Sequence, residues 1–392
     1  MTALARFAFP TAIHFGVGAA ALAGPHLAEL GKRRPLVVTD RALAQLPVAR
    51  DFVASLREAG LDVAVFDGVF GNPTVAQANA GGSAFRSHRA DCVVGFGGGA
   101  AIDVAKIVGV IGIDGHDALE YAWDHPQVRA IPDAIPYFVA LPTTAGTGSE
   151  VGRSAVISED DTHVKRIVFS PRILARAVFA DPALTRDLPA AITAATGMDA
   201  LTHNVESYLS PAYHPLCDGV AVEGVRIAAQ ALPRAVRDGA DLAARGDMLM
   251  ASMMGAIAFQ KDLGAVHSCA HALSTVADLH HGLANGIMID HVMRFNLPAA
   301  AAKLAELAHV ARVPGGDAGA VESRAAAFVD WLGRLKSTIG IPATLSAHRG
   351  TRPVTRADIP GLVAVAVKDL CHQTNPRPCT ATDFAALFAA AL

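Results

Sequence analysis

The sequence predicts an α/β N-terminal domain built on a parallel sheet, residues 1–188, followed by an all-α C-terminal domain, residues 189–392. Three observations carry this reading. At 392 residues the chain is long for a single hydrophobic core. Its first half alternates short β-branched runs with helical patterns, as βαβ units do. From about Leu188 onward those runs stop, and the chain becomes alanine-rich with a helical period.

The elements follow in order. PLVVTD (35–40) reads as a buried strand ending in polar residues, and FVASLREAG as the helix after it. DVAVFD (62–67) is a second strand, and DCVVGFGGG (91–99) a third that ends in glycines. AIDVAKIVGVI opens another helix, and PYFVALPTT (136–144) is a fourth strand. RIVFSP and AVFADPAL carry the last β-signals. In the second half, SPAYHP (210–215), VPGG (313–316) and NPRP (375–378) punctuate the helical pattern. A parallel sheet directs ligands to the C-terminal ends of its strands, so the loops after the first, third and fourth strands deserve the closest reading.

Composition narrows the function. The chain is 52% hydrophobic and 18% charged, which suits a packed enzyme core and excludes a disordered chain. A net charge of −3 without a basic run argues against nucleic acid as a partner. No apolar stretch reaches the ~18 residues of a membrane span, and the N-terminus lacks the apolar centre of a signal peptide. Cys92, Cys217, Cys269, Cys371 and Cys379 show no CxxC pair and no framework spacing, as expected of reduced cytoplasmic thiols.

VVGFGGGAAIDVAK reads as strand, glycine-rich turn and helix. Glycines let a backbone approach a pyrophosphate closely, and the first N–H groups of the helix supply donors and partial positive charge. Gly95-x-Gly97-x-x-Ala100 matches a short dinucleotide fingerprint, but at the third strand, where the usual fingerprint follows the first. A tight turn without ligand is the competing reading. Asp40, ending the first clear strand, is placed to accept from adenosine ribose hydroxyls and to repel a 2′-phosphate, which favours NAD over NADP. Capping the next helix is its competing role. LPTTAGTGSE (141–150) adds Thr143, Thr144 and Thr147, whose hydroxyls suit ribose or a nicotinamide amide and are also ordinary turn chemistry.

The histidines point to a metal. His267, His271, His280, His281 and His291 fall in one short stretch, and upstream Asp199 and His203 stand four apart in a helical pattern. Residues at i and i+4 share a helix face, so Asp199 and His203 can converge, as can His267 and His271. One carboxylate with several imidazoles suits Fe(II) or Zn(II) better than Mg or Ca. Scattered, satisfied core histidines are the plainer alternative, and the paired spacing argues against it.

Taken together, these segments resemble the iron-containing (group III) alcohol dehydrogenase family over nearly the whole chain. GGGAAIDVAK is similar to the family's GGGSxxDxAK signature, ALPTTAGTGSEV to its TTAGTGSE loop and GNPT (71–74) to its NPT turn. TGMDALTHNVE resembles the helix bearing two metal ligands, and VHSCAHALSTVADLHHGLANGIMIDHVMRFN the long histidine signature bearing the other two. The resemblance implies a dehydroquinate synthase-like fold, with an NAD-binding α/β domain, a helical metal-binding and catalytic domain, and an active site between them. It implies that Asp199, His203, His267 and His281 hold Fe2+, with Zn2+ as the alternative, and that His271 is the non-ligand histidine near the reacting carbon. Cofactor-binding residues expected on this basis are Asp40, Asn72, Gly97, Gly98, Gly99, Asp103, Thr143, Thr144, Thr147 and Lys165. The activity implied is hydride transfer between NAD(H) and a small primary alcohol or aldehyde, by a homodimer.

The chain departs from the family pattern in four places. Ala100 replaces a serine, which removes a hydroxyl and keeps the backbone donors. His280 stands where proline often precedes the ligand, which leaves His280 as an alternative to His281. Arg153, and Lys261 within Phe259-Gln260-Lys261-Asp262, are cations in segments that resemble the pocket wall. They raise a hydroxy-acid or semialdehyde substrate as an alternative, against surface placement or pairing with nearby acids. A maleylacetate reductase-like enzyme is a further alternative, and an NAD- or metal-sensing protein on the same fold is the non-enzymatic one. Loss of a ligand or of His271 would mark such a sensor, and all five residues are present.

Overall fold

The strands are β1 (Ala12–Phe15), β2 (Pro35–Asp40), β3 (Ala64–Val69), β4 (Cys92–Gly97), β5 (Tyr137–Pro142), β6 (Ser154–Ser158), β7 (Lys165–Phe169) and β8 (Ala177–Ala180). Six of them form a wholly parallel sheet in the order β1-β8-β5-β4-β2-β3, while β6 and β7 form a separate antiparallel pair. The structure is a computed structural model and describes Phe9, residues 11–348 and residues 352–392. All six residues of β4 and the first five of β2 are buried, because a parallel strand covered on both faces is apolar throughout. This is why PLVVTD and CVVGFG read as continuous runs without alternation.

The helices of this half are α1 (Ala23–Glu29), α2 (Pro47–Glu58), α3 (Val75–His88) and α4 (Gly99–Asp114). Together with the strands they make a compact unit of residues Phe9–Thr144 and Gly148–Asp187. Between β2 and β4 the chain order reverses: β2 leads outward to the edge strand β3, and β4 returns to the other side of β2. Such a reversal opens a crevice at the strand C-termini, and here Asp40 and Gly97 end the two strands that flank it. The glycine loop therefore follows the third strand predicted from sequence and still occupies the binding position of the sheet.

The second unit comprises Leu188–Leu392 together with Ala145–Thr147. Its helices are α5 (Ala190–Leu209), α6 (Pro215–Arg237), α7 (Leu242–Ala258), α8 (Ala265–Ala277), α9 (His281–Val310), α10 (Val321–Thr338), α11 (Ile359–Ala366) and α12 (Ala381–Ala390). Helix α5 packs against α6, α7 and α9, so nearly every residue from Thr193 to Leu209 is buried. Polar groups on such a helix must find partners inside the protein. Pro298 lies within α9, and the helix kinks at Ala300. Contrary to the sequence expectation that no apolar stretch is long enough, the segment Leu242–Lys261 could cross a membrane by length and composition. It is largely buried, with α7 packed on α5 and α6, as a core helix would be.

Candidate metal centre and cofactor loop

In the helical unit, α5 presents Asp199 and His203 on one face, and α8 presents His267 and His271 on one face. The first turn of α9 adds His281. Asp199 Oδ1 lies 3.9 Å from His203 Nε2, 3.7 Å from His267 Nε2 and 3.4 Å from His281 Nε2. These separations are too long for hydrogen bonds and match the spacing of donors about 2 Å from a shared transition metal. Asp199, His203 and His267 form a group whose ligand atoms all lie within 4.8 Å of one another. Asn285, one turn beyond His281, donates Nδ2 to Asp199 Oδ1 at 2.7 Å and lies 3.2 Å from His281 Nε2 and 3.4 Å from His267 Nε2. One amide cannot satisfy three imidazole edges, whereas a cation can, so the donor set fits a divalent transition metal.

Burial alone would raise the Asp199 carboxyl, but His203, His281 and His267 hold it well below the usual carboxylate range. Burial, opposed by Asp199, lowers His203 to about 4. Burial would also lower His267, yet the neighbouring Asp199 and Glu206 carboxylates outweigh that and raise it to about 9. His280 points elsewhere: it is exposed and caps α9 through Nδ1, which accepts from Leu283 N at 3.3 Å. Of the two adjacent histidines, His281 is the one brought to Asp199. His291, further along α9, is not part of the group around Asp199.

His271 sits beside the donors without joining them, its ring stacked on His281 with centroids 5.2 Å apart. Its Nδ1 is 2.7 Å from Asp369 Oδ2. Asp369 also accepts from Ser268 Oγ at 2.7 Å and Cys371 N at 2.9 Å. Burial would raise the Asp369 carboxyl, but His271 and these donors hold it far below its ordinary range. A carboxylate on Nδ1 leaves Nε2 as the free acceptor of the ring. Asp369, Asn285 and Glu206 were not read from the sequence; of the three, only Glu206 and Asn285 carried a usable signal, helical spacing from Asp199 and His281.

In the α/β unit, Gly98 is the N-cap of α4, with no side-chain cap among the described residues, so the first-turn N–H groups remain for a ligand. Gly97 has φ +152°, and a Cβ there would lie 2.7 Å from Ala101 Cβ and 3.7 Å from Asp40 Oδ2. Only glycine fits, and the Asp40 carboxylate faces the loop. Its other oxygen accepts from Leu43 N at 2.8 Å, so the turn-capping and loop-facing roles coexist. Gly97 O accepts from Thr143 N at 3.0 Å, and a Cβ on Gly98 would meet Thr144 Oγ1 at 3.2 Å, which brings both threonines to the loop. This cradle fits a dinucleotide pyrophosphate and ribose. Thr147 differs from its neighbours: it belongs with Ala145 and Gly146 to the helical unit, where Gly146 packs on Thr196 of α5. Asn72 lies in the turn before α3, and Lys165 opens β7 opposite Ser158. Asp103 uses its oxygens internally, on Ser149 Oγ, Lys106 Nζ at 3.5 Å and Val156 N at 3.0 Å, and so orders the loop from behind.

The same loop buries Glu150, whose Oε1 has no partner among the described residues. Burial raises it from 4.5 to about 7, against the pull of Lys106. The folded state thus holds a proton that the unfolded state releases, so stability falls as pH rises from 4.5 to 7 and the loss is complete above that. Such a shift corresponds to roughly 3 kcal/mol. Glu150→Gln should melt close to the parent at pH 5 and above it at pH 8; an unchanged difference between the two pH values would contradict this.

Of the two cations that raised an acidic substrate, Lys261 is fully buried and ion-paired with Asp218, and its Nζ also donates to Tyr208 O at 3.4 Å. Its charge is already matched, as the pairing alternative expected, though by Asp218 and not by the adjacent Asp262. Arg153 lies over the Phe169 ring, 5.6 Å from its centroid.

The sequence matches two family models: iron-containing alcohol dehydrogenase over residues 10–182, and the C-terminal domain of Fe-containing alcohol dehydrogenases over 193–392. The chain belongs to the iron-containing alcohol dehydrogenase family. It is 37% identical over 383 residues to a 4-hydroxybutyrate dehydrogenase of Cupriavidus necator, covering 95% of this chain and 96% of that one. It is 35% identical to an NAD-dependent methanol dehydrogenase of Bacillus methanolicus, covering 99% and 100%. A solved 1,3-propanediol oxidoreductase superposes over the whole of both chains with TM-score 0.93 at 35% identity. As a member of this iron-containing alcohol dehydrogenase family, the protein is an alcohol oxidoreductase with the α/β-plus-helical architecture described above.

Proposed function

We propose that the protein interconverts a small primary alcohol or diol with its aldehyde, using NAD(H) and a divalent iron held by Asp199, His203, His267 and His281, with Zn2+ as the alternative metal. The observation that carries this reading is the convergence of three imidazole Nε2 atoms on one buried carboxylate oxygen. When bound, the metal supplies a Lewis acid to the substrate oxygen and the nicotinamide supplies or accepts the hydride. The chain's own residues do the rest. Gly97–Gly99 and the first N–H groups of α4 hold the pyrophosphate, Thr143 and Thr144 line the loop, and Asp40 takes the adenosine ribose. His271, oriented by Asp369, accepts the alcohol proton at Nε2 and passes it to solvent, for which its partial exposure suits it.

A neutral substrate tail is favoured because Asp218 already neutralises Lys261. The 4-hydroxybutyrate dehydrogenase likeness keeps an acidic tail in play through Arg153 alone. Five cysteines with none in a disulfide agree with a cytoplasmic setting, and the family resemblance supports a homodimer. The deciding experiment is NADH production by iron-reconstituted protein with alcohols, diols and ω-hydroxy acids. Turnover of short alcohols over their acids, unaffected by Arg153→Met, supports the proposal; no turnover above metal-free protein overturns it.

Cofactor choice gives a second check. The Asp40 carboxylate beside Gly97 should oppose a 2′-phosphate, so kcat/KM for NAD should exceed that for NADP by well over tenfold, more than about 1.4 kcal/mol. Asp40→Gly should bring the two together. Equal use of both cofactors by the parent would leave Asp40 as a turn cap only.

A further inference from the structure

Helix α5 carries a third acidic or basic group in line with the metal-facing pair. Glu206 follows Asp199 by seven and His203 by three, so all three share one helix face. Glu206 is buried, and its hydrogen-bond partners among the described residues lie in the first turn of α8. Its Oε2 lies 2.6 Å from His267 Nδ1 and accepts from His267 N at 3.3 Å, while Oε1 accepts from Val266 N at 2.7 Å. Glycine at 264 permits this approach, because a Cβ there would stand 2.6 Å from Glu206 Oε1.

We propose that Glu206 is the positioning carboxylate of the metal centre, holding His267 with Nδ1 protonated and its Nε2 lone pair directed toward Asp199. The proposal rests on the metal-binding reading of the four donors. Two arguments support it beyond the contacts. A carboxylate behind a ligand imidazole fixes the ring and its tautomer and makes the free nitrogen a better donor. In addition, Asp199 and Glu206 are both buried, and neither forms an ion pair with lysine or arginine among the described residues. Two buried carboxylates without such a partner are costly, and one divalent cation balances both.

A purely structural role as a cap of α8 is the alternative, and Asn375 provides its control. Asn375 Oδ1 accepts from Ala265 N at 3.2 Å, at the same helix end, without touching His267. Zn(II) affinity, measured by competition with a chromophoric chelator, and melting of the metal-free protein separate the two roles. Glu206→Gln keeps an oxygen acceptor and removes the charge; it should weaken Zn(II) binding about 10–100-fold. Gly264→Ala, which touches no donor, should weaken it in the same direction and decides the matter if Glu206→Gln does not fold. Asn375→Ala should lower the melting temperature and leave Zn(II) affinity at the parental value. Parental affinity in folded Glu206→Gln and Gly264→Ala overturns the proposal, as does an equal loss of affinity in Asn375→Ala. A parent that binds no Zn(II) or Fe(II) instead overturns the reading of the four donors on which it rests.

Discussion

His203→Ala is expected to give a folded protein that neither retains metal nor oxidises alcohol. His203 is buried on α5, its ring stacked on His267 with centroids 4.6 Å apart, and its Nε2 completes the group around Asp199. Four-ligand binding of a transition metal is worth on the order of 10–16 kcal/mol in zinc peptides, so one donor accounts for a few kcal/mol and its loss for a hundredfold or more in affinity. The fold should survive, because α5 remains packed by its apolar residues on α6, α7 and α9. Circular dichroism checks the fold, and metal analysis after dialysis checks the site. The two adjacent histidines sharpen the result: His281→Ala should behave like His203→Ala, and His280→Ala, which removes an exposed helix cap outside the group around Asp199, should keep both metal and rate. Near-stoichiometric metal in dialysed His203→Ala would remove that residue from the set.

The histidine and aspartate pairs were legible because they lie within single helices, where spacing alone determines the shared face. Asp369 was not, because it reaches His271 from 98 positions away and no local period marks it. Glu206 is the instructive case. It carries the same spacing signal as His203, but an acid on a buried helix has no evident partner until α8 is placed against it. Lys261 shows the same limit: its segment alone left a substrate anion and a nearby acid as competing partners, and the counter-ion, Asp218, lies 43 residues earlier on α6.

The same contrast between local and long-range information holds for the fold. Strands β2, β4 and β5 read clearly because burial on both faces makes them continuously apolar. The second predicted strand, 62–67, begins two residues later in the structure, at Ala64. Strand β1 was missed, since AIHF is short and pairs only with β8 at the sheet edge. The sequence also gave no sign that Ala145–Thr147 packs with the helical unit, since that depends on contacts such as Gly146 with Thr196. Strand order is likewise a tertiary property, and with it the meeting of Asp40 and Gly97.

His271→Ala should retain metal and lose rate, which distinguishes a proton relay from a ligand. His271 contributes no donor to the group around Asp199; its Nδ1 is taken by Asp369, and its side chain is 22% exposed. With Nδ1 donating to a carboxylate, the ring offers Nε2 as an acceptor, and a positioned acceptor of this kind is worth about 10²–10⁴ in rate. The loss should therefore appear in kcat, with iron or zinc content near the parental value, and added imidazole should restore part of it. Asp369→Asn should fall between parent and His271→Ala. The asparagine can still hold the ring, but its amide can also donate to Nδ1 and stabilise the tautomer with the proton on Nε2, which blocks proton acceptance there. Metal loss in His271→Ala would make His271 a ligand and reopen the assignment of His281. Full activity in both variants would show that the substrate proton leaves by another route, and that the His271–Asp369 pair only braces α8.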